Sequence, residues 1–380
     1  MDIVIYIPCT LRVLLSKVQG IASKYIRNMS ENSFNKRIKL SQKILGKIAK
    51  IDEFKGLWHG SLRLSPQILG RLKSSVIITS TGASTRIEGS KMSDEEVARL
   101  LRGLKSNPPK NRDEQEVAGY ADLLGRIFDH YRTLKLTENN ILHFHSILLQ
   151  FSNKDQSHKG KYKDSDNAVV IKNEKGEEIV LFNPTKPYLV KPEMEAIIDW
   201  TNQELEKKEL HPVLIIANFV FEFLAIHPFL DGNGRLSRAL TNLLLLRNDY
   251  AYVPYASLDE IIEERKDGYY LALRATQNKH KTENEDITPW LNFLLDALLT
   301  QGDVARKLMN AEQPEKLLSE RQEQVFAILK DGETLGVAEI DKRLNGSVPQ
   351  VTIKQSLARL VALRLVERVG QGRGVRYKKL

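Results

Sequence analysis

Cysteine is almost absent: Cys9 is the only one in 380 residues. A single thiol excludes an intrachain disulfide and a cysteine-built zinc site, and it favours a reducing compartment, the cytoplasm by default. Long apolar runs are missing as well. At the N-terminus residues 1–15 carry an apolar run, but Asp2 stands where a signal peptide carries basic residues, and Pro8 and Arg12 interrupt a segment too short to span a bilayer. Neither a signal peptide nor a membrane partner is expected, and Met29 is an alternative start that would make the preceding residues an extension. The chain also lacks tandem repeats and low-complexity tracts, which excludes a repeat array.

What is there suggests two domains. The length exceeds one comfortable core, and 42% hydrophobic residues are ordinary for a globular protein. The formal net charge of +9 is uneven: residues 352–380 carry eight Lys or Arg against Glu367 alone, an excess of +7.

Residues 226–240 read I-H-P-F-L-D-G-N-G-R-L-S-R-A-L. Upstream, Pro212 followed by Val213, Leu214, Ile216, Ala217, Phe219, Val220, Phe223 and Leu224 predicts a buried helix, and residues 236–246 predict another. Gly232 and Gly234 let main chain approach a ligand, and the helix starting at once after Gly234 points N–H groups into the loop, as in an anion cradle. Arg235 and Arg238 add fixed positive charge on one side of the first turn, where an anion is their natural partner. His227 supplies a base that titrates near neutrality, and Asp231 a hard oxygen ligand suited to Mg²⁺. Base, metal ligand and phosphate cradle then lie within one turn.

The run H-P-F-L-D-G-N-G-R-L-S-R resembles, at every defining position, the motif H-x-F-x-[DE]-G-N-G-R-x-x-R of Fic-domain proteins. A second stretch, S-T-R-I-E-G at residues 84–89, resembles that family's inhibitory motif, with Ser84 and Glu88 four apart and facing one way if helical. Read without the resemblance, it is a helix end terminated by Gly89. The resemblance implies protein adenylylation: AMP passes from ATP to a Ser, Thr or Tyr hydroxyl of a target protein or of the chain itself. It implies His227 as the base, Asp231 holding Mg²⁺, and Gly232, Asn233 and Gly234 around the α-phosphate. Arg235 and Arg238 would hold the β and γ phosphates, and Glu88 would pair with Arg238 in the place of the γ-phosphate. Doc-like relatives that transfer phosphate carry Lys where Gly234 stands, so Gly234 favours AMP. Removal of AMP, with Glu88 positioning water, is an alternative.

Around these motifs the periodicity predicts helices over 32–55 and 62–78 with a loop from Trp58, then over 93–104 (Ser93 and Glu96 forming a capping box), 114–131, 137–151 and 193–208. His143 and His145 are two apart and face different ways, so no metal site is expected there, and His145 reads as packing. Within 160–187, residues 168–171 and 179–182 predict a hairpin, and the preceding G-K-Y-K resembles the approach to the Fic flap that pairs with a target segment. Residues 269–277 and 286–295 resemble the closing helices, with Tyr270 and Gln277 flanking the nucleotide base. Beyond a linker at 301–318, helices over 319–329, 337–344 and 349–363 and strands over 365–369 and 374–379 resemble a winged-helix module. Such a module would meet DNA through Lys354, Gln355, Arg359 and the wing, as in a nucleotide-sensing DNA-binding regulator, or would dock protein, as in a homodimer. The expected fold is mainly α: an N-terminal helical region over 1–53, a Fic-type helical domain with a small β-hairpin flap over 54–300, and a winged-helix domain of α+β type over 319–380.

Overall fold

A computed structural model describes residues 31–60, 66–104, 106–172, 178–310, 318–330, 332–362, 365–370 and 372–380. Residues 1–30, residues 173–177 between the two expected strands, and residues 311–317 of the expected linker lie outside the described residues. The chain divides into two compact units. One holds Ser75–Ala305 with the described chain up to Gly60, and the other holds Arg306–Leu380 with the described part of 61–74. The sequence reading instead kept everything from 54 to 300 together.

The first unit is helical apart from one hairpin. Its elements in order are α1 (Glu31–Lys36), α2 (Gln42–Gly60), α3 (Pro66–Ile87), α4 (Asp94–Gly103), α5 (Arg112–His130), α6 (Glu138–Leu148), β1 (Val169–Lys172), β2 (Glu178–Phe182) and α7 (Pro187–Lys207). Then come α8 (Pro212–Ile226), α9 (Asn233–Arg247), α10 (Leu258–Glu264), α11 (Lys266–Gln277) and α12 (Thr288–Asn310). Of these, α3 before Ser75 and α12 beyond Ala305 fall to the second unit. At the centre lies α8, buried from Val213 to Ile226 because it is apolar on nearly every face. Pro212 at its first turn has no N–H to leave unsatisfied, and the His211 side chain accepts the N–H of Val213. It packs between α7 and α9. The capping box of Ser93 and Glu96 forms on α4, and Thr137 caps α6.

Two boundaries differ from the periodicity for local reasons. The helix expected over 32–55 is broken after Lys36, where Arg37 turns into the core and Ser41 accepts the N–H of Ile44 to start α2. Trp58 is inside α2, not in a loop, because it extends the apolar stripe of Ile51 and Phe54. It is 2% exposed and stacks on Tyr255 with centroids 5.5 Å apart. Similarly, α12 continues through Asn310, inside the stretch read as linker.

Buried polar groups on α8 have matched partners. Arg37 Nη1 donates to Glu222 at 2.5 Å and to Glu285 at 3.0 Å, and its Nε donates to Asn218 at 2.6 Å. His280 Nε2 lies 3.1 Å from the same Glu222 carboxylate. Breaking a pair of this kind leaves a bare charge in the core, at a cost of about 3–5 kcal/mol.

The second unit comprises α13 (Glu320–Ile328), β3 (Thr334–Leu335), α14 (Val337–Arg343), α15 (Gln350–Ala362), β4 (Val366–Val369) and β5 (Arg376–Lys379). Its three strands form an antiparallel sheet in the order β3-β5-β4, with Thr334 opposite Lys378 and Arg368 opposite Tyr377. Val325, Leu329, Ile340, Ile353, Leu357, Leu360 and Val366 form its core. The short β3 was not expected, since two residues carry no legible alternation. Among the described residues no helix is long and apolar enough to cross a membrane.

Arg37→Met should lower unfolding free energy by about 3–5 kcal/mol in denaturant titrations. A loss of about 1 kcal/mol or less, the size of a surface pair, would contradict the buried-pair account.

Candidate functional site

His227, Asp231, Gly232, Asn233, Gly234, Arg235, Glu88, Tyr270 and Gln277 line one cavity of about 540 Å³, together with Leu230, Lys266, Leu273 and Arg274. Four elements bring them there: the end of α3, the α8–α9 loop, the start of α9, and α11. The loop turns because His227 ends α8 in the left-handed region, at φ 50°, with its N–H on Phe223 O, and because Pro228 cannot continue the helix. Gly232 at φ 80° then starts α9, and a Cβ there would come within 2.9 Å of Leu148.

The His227 ring faces the cavity with its roles divided. Its Nδ1 lies 3.4 Å from Leu224 O, a carbonyl that can only accept, so that contact assigns the proton to Nδ1 and leaves Nε2 as the free lone pair. Burial lowers its pKa to about 4, and the Lys163 ammonium acts in the same direction against the Glu88 and Asp231 carboxylates. His227 is therefore a neutral acceptor at physiological pH.

Asp231 remains ionised. Burial opposes this, but Arg235, the Gly232 N–H and Arg112 hold its pKa below the usual range. Its Oδ1 accepts from Gly232 N at 2.7 Å, and its Oδ2 accepts from Arg235 at 3.2 Å. Arg235, 1% exposed, also faces Glu116 at 3.1 Å, so its guanidinium already sits between two carboxylates. The Asn233 side chain does not serve the cavity: it accepts from Phe229 N at 2.9 Å and donates to Phe229 O at 2.7 Å, pinning the loop.

Arg238, 3% exposed, is buried as well. Its Nη2 donates to Glu88 Oε1 at 2.8 Å and to Ser84 O at 2.9 Å, and its Nε donates to Ser84 Oγ at 2.7 Å. Asp259, held by Tyr120 Oη at 2.8 Å, lies 3.6 Å from Nε. Nη1 finds no acceptor among the described residues, and it lies 3.3 Å from where a Gly234 Cβ would stand. That Cβ would collide with the Glu88 carboxylate. Glu88 thus rests against the first turn of α9, where unpaired N–H groups and the helix dipole favour an anion. Just before it, Arg86 grips both oxygens of Glu263 at 2.6 and 2.8 Å and Asp94 at 2.9 Å, which fixes the end of α3.

Sequence reasoning missed several supporting residues. Glu116, Tyr120 and Asp259 come from distant helices and carry no local motif. His145 was read as packing. It is fully buried and stacked on Phe229 at 3.8 Å, but it also orders the loop: Nε2 is 3.0 Å from Asp231 O, and Nδ1 accepts from Gly160 N at 2.9 Å. Lys163 lay inside the quoted G-K-Y-K and was given no role.

Comparison with known proteins agrees with this geometry. Residues 135–245 match the family described as Fic/DOC family. Over 104 residues the chain is 38% identical to protein adenylyltransferase Fic of Drosophila willistoni, which covers 27% of this chain and 18% of that protein. Over 158 residues it is 31% identical to the protein of the same name from Drosophila virilis, covering 40% and 30%. The aligned parts are thus less than a third of either relative. The crystal structure of a Fic family protein from Desulfovibrio desulfuricans G20 shares the fold at a TM-score of 0.59 and 23% identity, over 90% of this chain and 97% of that one. Residues 135–245 are thus similar to the Fic/DOC family, and the chain is distantly similar to the protein adenylyltransferases named Fic.

His145→Phe keeps the ring stack on Phe229 but strands Asp231 O and Gly160 N. It should cost about 1–3 kcal/mol in thermal or denaturant unfolding, whereas a neutral substitution would mean that His145 only fills space.

Proposed function

We propose that this chain is a protein adenylyltransferase held in check by Glu88. The observation that carries the reading is the Glu88 carboxylate on Arg238 at 2.8 Å, over the N-terminus of α9 and on the same cavity as the free Nε2 of His227. An anion site is built there, and an internal carboxylate fills it.

In the reaction, the target hydroxyl oxygen attacks the α-phosphorus of ATP, the bond from that phosphorus to the bridging oxygen breaks, and pyrophosphate leaves. His227 Nε2 takes the hydroxyl proton. The N–H groups that open α9 face the charge developing on the α-phosphate, with no Cβ at Gly232 or Gly234 in the way. Arg238 holds the terminal phosphate once Glu88 withdraws, and Tyr270 and Gln277 flank the base. Asp231, an ionised carboxylate about a third exposed at the cavity, fits a Mg²⁺ ion whose other ligands are phosphate oxygens and water. Bound there, the ion would neutralise phosphate charge.

With Glu88 in place, the γ-phosphate loses Arg238 and the triphosphate settles off line. A misplacement of about 1 Å can cost 10²-fold in rate. Glu88 is itself about a third exposed at the cavity, which supports AMP removal through a Glu88-held water as the second reading. Release of AMP from a labelled protein separates the two.

For the second unit we propose a winged-helix module that binds nucleic acid. Lys354, Gln355 and Arg359 are exposed along α15, and Arg368 and Arg376 are exposed on the β4–β5 hairpin. In gel-shift titrations of the full chain, affinity for duplex DNA should fall steeply between low and physiological salt. Absent or salt-independent binding would favour protein docking.

The transfer is tested with ATP labelled at the α or the γ position. Glu88→Gly should incorporate the α label and not the γ label, above wild type, and Glu88→Gly with His227→Ala should incorporate neither. Incorporation of the γ label would mean phosphoryl transfer, and a folded Glu88→Gly that labels no more than wild type would remove the inhibitory role of Glu88.

A further inference from the structure

Lys163 is 4% exposed, in the segment that leads into the hairpin. A buried ammonium needs a reason, and its contacts all concern the loop that carries His227. The Lys163 N–H donates to Pro228 O at 2.9 Å. Its Nζ donates to Asn167 Oδ1 at 2.6 Å and reaches Ile226 O at 3.4 Å. Asn167 Nδ2 in turn donates to Phe229 O at 3.0 Å. The carbonyls on both sides of His227 thus receive donors from residues 163–167, and β1 begins two residues after Asn167, at Val169.

His227 needs this support. A residue with a Cβ at φ 50° sits in a region that costs about 1–2 kcal/mol and persists only where its surroundings fix it. Ile226 O also ends α8, whose last carbonyls are electron-rich and favour a cation. Among charged groups around the ring, Glu88 comes from the end of α3, Asp231 from the loop itself, and Lys163 from the hairpin root, the last opposing the two carboxylates.

We propose that Lys163, together with Asn167, is a positioning residue for the transfer: the pair fixes the His227 turn and mechanically joins the base to the root of the hairpin. The inference rests on the transferase reading, in which the target segment pairs along the hairpin. Docking there and placement of the base then become one event, because displacement of the hairpin root moves the carbonyls that flank His227.

The test uses the full chain carrying Glu88→Gly as parent, with single-turnover self-labelling from α-labelled ATP followed across pH. Lys163→Met should slow labelling roughly tenfold to a hundredfold while ATP affinity is unchanged. It should also move the acid limb to higher pH, since losing the nearby cation makes His227 easier to protonate. Lys163→Arg, which keeps charge and donors, should restore rate and limb. Asn167→Leu, which keeps the cation, should slow labelling without moving the limb. A folded Lys163→Met with the parent's rate and limb overturns the proposal. So does a slow Lys163→Met with an unmoved limb that Lys163→Arg does not rescue, the pattern of a merely structural lysine. If Lys163→Met does not fold, Asn167→Leu decides: a parent-like rate overturns the proposal, and a slowed one supports it. A parent that takes up no α label overturns the transferase reading itself.

Discussion

A guanidinium as enclosed as that of Arg238 requires an anion, and the architecture of the first unit follows from which anion it receives. On one side Ser84 accepts from the guanidinium and the Asp259 carboxylate lies 3.6 Å away. Glu88 approaches from the other, over a glycine whose missing side chain leaves room for it. Breaking a buried charge pair costs several kcal/mol unless another charge takes the vacated place. A terminal phosphate would be such a replacement, and in the proposed reading nucleotide and Glu88 compete for one position. Arg86, clamped to Glu263 and Asp94, fixes the end of α3 from which Glu88 approaches.

His227 is held by a separate set of contacts. His227 gets its turn from the end of α8, its proton assignment from Leu224 O, and its surroundings from Lys163 and Asn167 at the hairpin root. Asn233 and His145 pin the rest of the loop through Phe229 and Asp231 O. In the proposed reading nucleotide control would enter through α3 and target contact through the hairpin, and the two would meet in the six residues between α8 and α9.

Much of this was legible because the defining contacts are local in sequence. The loop residues 227–238 carry their own turn chemistry, with glycines where main chain must be close and a proline where a helix must stop. The pairing of Glu88 with Arg238 could be expected only through resemblance to a known motif, since nothing in 84–89 names a partner 150 residues away. The break after Lys36 was hidden because Phe34 and Ile38, four apart, keep helical spacing across it. What forces the break is the tie of Arg37 to Glu222, a long-range constraint that periodicity does not contain. Likewise Glu116, Tyr120 and Asp259 look like ordinary helix residues until the fold brings them to Arg235 and Arg238. The strand β3 is too short to show a pattern, and it exists because β5 offers it an edge.

The central claim is that Glu88 and the γ-phosphate compete for Arg238. Calorimetric binding of ATP and ADP to wild type and to Glu88→Gly tests it without any turnover, because only ATP carries the group in dispute. A charge-assisted contact contributes about 1.5–3 kcal/mol, so the preference for ATP over ADP should rise roughly tenfold to a hundredfold on removing Glu88, and Arg238→Ala should abolish that rise. An ATP-to-ADP preference that is the same in wild type and Glu88→Gly would contradict the account.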